Sequence, residues 1–127
     1  HTAAHLKAAL AAGAETGRAI LAMSAPGASA YAGVGWFAAM VEAAREEFPD
    51  VPLTAVLDCA DRGGDALAAL GLGVTHIIFN GDKGADRRLR AIAEQTGAVI
   101  LNERPAALDL LDLRDAERAA RDWCKKP

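Results

Sequence analysis

Asp58 and Cys59 stand side by side at the end of the aliphatic run Leu53-Thr54-Ala55-Val56-Leu57, and Asp61-Arg62-Gly63-Gly64 follows at once. A carboxylate there could move a proton, and a thiolate could attack a carbonyl or ligate a soft metal. A Cys59 nucleophile would need a base within hydrogen-bond reach, and Asp58 is the near candidate. Adjacent strand residues point to opposite faces, so the pair does not serve one pocket unless the strand has already ended. A buried, inert cysteine is the plainer reading of Cys59. Three further polar clusters follow apolar runs in the same way: Ser24 with Gly27, Asn80-Gly81-Asp82, and Asn102-Glu103.

The elements that would position these groups are legible from periodicity. Ala3 to Thr16 is alanine-rich with Leu6 and Leu10 four apart, which predicts a helix stopped by Gly17. A short strand over 19–23 is ended by Pro26 and Gly27, and a loop of small residues runs through Gly33. Trp36, Phe37, Met40, Val41, Ala44 and Phe48 recur at spacings of three and four, so 35–48 reads as a helix. Strand 53–58 precedes a short helix from Gly64 with Leu67 and Leu70 inward. Strand 75–80 precedes a helix over 85–96 with Leu89, Ile92 and Ala93 inward. Strand 98–102 precedes a helical remainder over 106–124 with a break near Asp112.

Strands alternating with helices at this spacing predict right-handed crossovers and an α/β fold with a four-stranded parallel sheet and flanking helices. In such a sheet every polar cluster falls at the C-terminal strand edge, where α/β proteins place their sites. Asp58 is accordingly expected to line a solvent-accessible pocket with Ser24 and Asn80, and Asp58→Asn to alter ligand affinity more than stability. The bland alternative is that strand ends carry Asn and Asp simply because turns favour them.

Composition narrows the function classes. One chain of 127 residues at net charge −3, with dispersed basic residues, lacks the basic face that nucleic-acid binding wants. No apolar run approaches the roughly 20 residues of a membrane span, and His1-Thr2-Ala3 does not read as a signal peptide. Cys59 and Cys124 have no metal-ligand spacing and fit free thiols in a cytoplasmic protein. His76 opens its strand and should sit at the far end of the sheet from Cys59, while His1 and His5 read as solvated. Gly63-Gly64 and Gly81 with Gly84 open helices without matching a nucleotide-binding fingerprint, leaving a small carboxylate or phosphate as the ligand class.

The order Ile20-Leu21-Ala22-Met23-Ser24-Ala25-Pro26-Gly27, Tyr31-Ala32-Gly33, Val56-Leu57-Asp58-Cys59, Leu72-Gly73-Val74-Thr75, Ile77-Ile78-Phe79-Asn80 and Leu101-Asn102-Glu103 resembles the class II (metal-dependent) fructose- and tagatose-bisphosphate aldolases, which have the TIM-barrel fold. The resemblance covers roughly residues 5 to 104. It implies half of a TIM barrel in a single aldolase-like domain, a truncated and degenerate relative. By position it makes Asp58 the proton-moving aspartate and places Cys59 and Val56 where the family has histidines. Asn80 then corresponds to an aspartate associated with a second cation, Ser24 to a serine near the substrate carbonyl, and Glu103 to a glutamate of the following strand.

Catalytic zinc takes three protein ligands and keeps a position open. With the family's histidines absent, Cys59 would be the one candidate ligand carried over. The implied function is binding of a small polar or phosphorylated ligand, through Ser24, Gly27, Asn80, Asp82 and Glu103, without aldol cleavage. A lyase completed by a second chain and an assembly domain are the alternatives. Because a four-stranded arc does not close, its inner face and edges predict a homo-oligomer.

Overall fold

A computed structural model describes residues 1–111 and 113–126. The ten elements, in chain order, are α1 (Ala3–Thr16), β1 (Ile20–Met23), α2 (Ala28–Tyr31), α3 (Val34–Glu47), β2 (Leu53–Asp58), α4 (Gly63–Gly71), β3 (His76–Ile78), α5 (Lys83–Thr96), β4 (Val99–Leu101) and α6 (Ala116–Cys124). The four strands form one parallel sheet in the order β1-β2-β3-β4, and it does not close into a barrel. Val56 stands level with His76 and His76 with Val99, which fixes the register across three strands. Along β1 the Ile20 amide donates to the Pro52 carbonyl and the Ser24 amide to that of Val56; an equal step of four on both chains is the parallel signature. The α/β fold with a parallel sheet and flanking helices expected from the sequence is therefore what is found.

The chain divides into two compact units. The first comprises residues 1–22, 40–54 and 106–127. Here α1 packs along α6 with Leu6, Ala8, Leu10, Ala12 and Ala120 buried. Thr2 caps α1 by accepting from the His5 amide, and Gly17 ends it in the left-handed region. Gly13 is needed for a close approach. A β-carbon there would lie 2.7 Å from Ile20 Cγ1 and 2.9 Å from the Arg18 carbonyl oxygen, so any side chain would push the helix off the chain that follows.

The second unit comprises residues 23–39 and 55–105. Its core is Val56, Leu57, Ile77, Ile78 and Phe79 with Ala66, Ala69, Leu70, Leu89, Ala93 and Ile100. Each fully buried large aliphatic contributes about 1.5–3 kcal/mol relative to exposure. α4 packs against α5, and α5 against β4. Asp82 caps α5 by accepting the Ala85 amide at 2.9 Å, which starts that helix two residues earlier than periodicity alone suggests.

Several sequence expectations are corrected. Residues 28–31 form a helical turn within the expected loop. Leu67 is 51% exposed, because α4 buries Ala66, Ala69 and Leu70, a stripe one residue out of phase with the pair Leu67 and Leu70. The expected helix over 106–124 begins only at Ala116. Asp109 accepts the Leu111 amide and Asp115 that of Arg118, so local side-chain bonds compete with helix before the second aspartate caps it. The break expected at Asp112 lies outside the described residues. Among the described residues no helix is long and apolar enough to cross a membrane.

Candidate functional site

At the C-terminal end of β2, Asp58 is almost wholly buried. Its Oδ1 accepts the Ala60 amide at 2.8 Å, and its own amide donates to Ser24 Oγ at 2.9 Å. Its Oδ2 meets Arg104 Nη1 at 2.6 Å, and the same nitrogen donates to the Ser24 carbonyl oxygen at 3.1 Å. Asp58 and Ser24 are thus brought together as expected from the strand edge. The expectation that Asp58 faces solvent is overturned, because a side chain from the loop after β4 covers it. Ala60, next but one, has φ 50°, a left-handed conformation that costs a non-glycine residue about 1–2 kcal/mol. Gly27 leaves room beside it, a β-carbon there coming within 3.8 Å of the Ala60 methyl.

Cys59 lies one residue past the end of β2 and is fully buried. Burial pushes its thiol up to about 11; a hydrogen bond with Ser29 opposes this, and the nearby carboxylates of Asp65 and Asp58 add to the rise. Ser29 Oγ donates to Asp65 Oδ2 at 3.0 Å, which Arg62 Nε meets at 2.6 Å. The chain from Ser29 through Asp65 to Arg62 ties α2 to the start of α4. A thiol so protonated is a poor nucleophile and a poor metal ligand.

The zinc implied by the family resemblance does not fit these residues. Cys59 is enclosed against Ser29, Val56 has no donor, and His76 sits at the start of β3 with Nδ1 2.9 Å from Thr75 Oγ1. Among the described residues no group of three His, Cys, Asp or Glu is placed to hold a metal ion. The amino-terminal histidines are less solvated than expected. His1 Nε2 lies 2.6 Å from Asp109 Oδ1, its ring stands edge-on to that of His5, and His5 Nδ1 is buried without a hydrogen-bond partner among the described residues.

Asn80 belongs to a different place from Asp58. It lines a cleft of about 630 Å³ with Gly81, Lys83, Asp86, Arg87 and Asn102, at the ends of β3 and β4 and the start of α5. Asn102 Nδ2 donates to the Phe79 carbonyl and to Asp86 Oδ1, each at 2.9 Å. Arg90 reaches Asp86 Oδ2 at 2.8 Å and also the Asn102 carboxamide oxygen. The hydrogen bond from Arg90, helped by that from Asn102, holds the Asp86 carboxyl below the usual carboxylate range. Asp86 is therefore committed to its neighbours. Lys83 and Arg87 are exposed and stand in no ion pair among the described residues, so the cleft presents uncompensated positive charge.

Of the other expected ligand-binding residues, Asp82 is engaged as the α5 cap and Glu103 is exposed on the loop between Asn102 and Arg104. Lys83, Arg87 and Arg104 carry no site expectation from the sequence, whereas Asn102 stands in the Asn102-Glu103 cluster expected at this edge. Lys83 and Arg87 share one helix face four apart and were legible; the reach of Arg104 to Asp58, 46 positions away, was not. No protein-family model matches the chain, and neither does any curated protein.

Proposed function

We propose that this chain is an aldolase-like α/β binding domain that holds a small anionic ligand, a phosphate ester or carboxylate, without aldol cleavage. The observation that carries the reading is the cleft of about 630 Å³ at the ends of β3 and β4, lined by Lys83 and Arg87, which stand in no ion pair among the described residues. That volume lies in the range of small-molecule sites, and polar groups converging there supply orientation. Lys83 offers a mobile point charge and Arg87 a planar fork matched to phosphate or carboxylate oxygens. Asn80 and Asn102 contribute neutral partners for hydroxyls. Kinship with the class II aldolases is part of the proposal and rests on the motif order. Absence of turnover rests on the protonated, enclosed Cys59 and the apolar Val56 at the two histidine positions. Free thiols at Cys59 and Cys124 suit a reducing, cytoplasmic setting.

Titration with inorganic phosphate and a panel of sugar phosphates should raise the melting temperature saturably. Lys83→Ala with Arg87→Ala should weaken binding tenfold or more. Both residues are exposed, so the unliganded melting temperature should hardly move. If no compound stabilises the protein, or the double variant binds as well, the cleft is not the site. A retro-aldol assay with added zinc separates this reading from that of a lyase completed by a second chain.

Self-association belongs to the same proposal. β1 and β4 are both edge strands, and each exposes an aliphatic side chain, Leu21 and Val99. Unpaired strand edges with apolar side chains are pairing templates. Light scattering at micromolar concentration should give the mass of a dimer or more, and a strictly monomeric mass rejects this part.

A further inference from the structure

The Asp58 side chain is 4% exposed, and the group that closes it off, Arg104, is itself 34% exposed. Arg104 Nη1 is held by two acceptors, Asp58 Oδ2 at the end of β2 at 2.6 Å and the Ser24 carbonyl oxygen just past β1 at 3.1 Å. A full negative charge and a carbonyl dipole converging on one point make a receptor for a cationic nitrogen. The receptor is built without the arginine: Ala60 fixes Oδ1, and Ser24 Oγ takes the Asp58 amide. The arginine, by contrast, comes from a loosely attached loop. Among the described residues none of Glu103, Arg104 and Pro105 takes part in a backbone-to-backbone hydrogen bond. All three are exposed. The guanidinium is the hold of that loop on the sheet.

We propose that Asp58 and the Ser24 carbonyl form a binding site for a small molecule bearing a guanidinium or primary ammonium group, and that Arg104 is its built-in occupant. A ligand of this class displaces Arg104 and releases the strap over 103–105. Inside the pair one cation replaces another of the same kind, so the strap chiefly sets the affinity. The apparent dissociation constant rises by the inverse of the fraction of time the site stands open. The site uses none of the residues that line the anion cleft and stands or falls separately from it.

Agmatine, which carries both cationic groups, is the probe. It should raise the melting temperature of Arg104→Ala saturably at millimolar concentration and bind the unaltered protein at least tenfold more weakly. It should give no saturable shift in Arg104→Ala combined with Asp58→Asn. In the unaltered protein, saturating agmatine should move the Arg104 side-chain Nε–H resonance to the position of a free arginine. Equal affinity for the unaltered protein and Arg104→Ala, or binding that survives Asp58→Asn, overturns the proposal. Should Arg104→Ala not fold, Arg104→Met keeps the aliphatic stem over the carboxylate and replaces it. If neither folds, the resonance measurement on the unaltered protein decides, and an Arg104 signal that does not move under agmatine overturns the proposal.

Discussion

Arg104→Ala should destabilise the fold by about 2–4 kcal/mol and Asp58→Asn by about 1–2 kcal/mol, an asymmetry that follows from which partner is left stranded. Without the arginine, a carboxylate at 4% exposure keeps only neutral partners. Without the charge at position 58, an arginine already 34% exposed turns to water, and the amide oxygen can still accept from Ala60. Removing one partner of a fully buried pair costs about 3–5 kcal/mol, and the range given for Arg104→Ala is lower because water already screens the arginine. The double variant should lose less than the sum of the singles by more than about 0.5 kcal/mol. Urea melts of the three variants test this. Additive losses, or a larger loss for Asp58→Asn, would show that the pair is not the buried contact described.

Phe79→Ala should cost about 3–5 kcal/mol, a large share of the roughly 5–15 kcal/mol that a domain has in total. Phe79 is 1% exposed at the end of β3, and its ring lies beneath Gly81 so closely that a β-carbon there would come within 2.7 Å of it. Its carbonyl also receives the Asn102 carboxamide. Truncation therefore opens a cavity behind the anion cleft and loosens two of its lining residues. The melt should shift to lower urea, and phosphate should bind more weakly even where the variant is still folded. A loss below about 2 kcal/mol would mean that the surroundings collapse into the gap.

The strands were legible because their apolar runs have clear polar ends. β2 is found at Leu53–Asp58 as expected, while β3 and β4 stop a residue or two inside the expected limits, where loop bonds to Asn80 and Asn102 replace the ladder. Helix existence was legible from spacing, but helix phase was less so. In α4 the small residues Ala66 and Ala69 are buried in place of the larger Leu67, since little room separates α4 from α5. The co-location of Asp58 and Ser24 was readable from strand order alone. Their occlusion was not, because periodicity tells which face a strand residue takes and is silent about a loop side chain that folds back across a neighbouring strand. Lys83 and Arg87 stand four apart on one face of α5, but spacing alone does not say that the ends of β3 and β4 lie beside that face.

The division of the chain has a bearing on its synthesis. The unit holding β3, β4 and the cleft draws on residues 23–39 and 55–105, whereas the other collects 1–22, 40–54 and 106–127. Glu15 of α1 meets Arg121 of α6 across 106 positions. Joining ends so far apart carries an entropy cost that neighbouring strands do not meet. On the ribosome α1 emerges well before α6. Until α6 is released, the alanine-and-leucine stripe of α1 lacks the surface that covers it. The burial of α1 waits on a helix from which all four strands separate it in sequence.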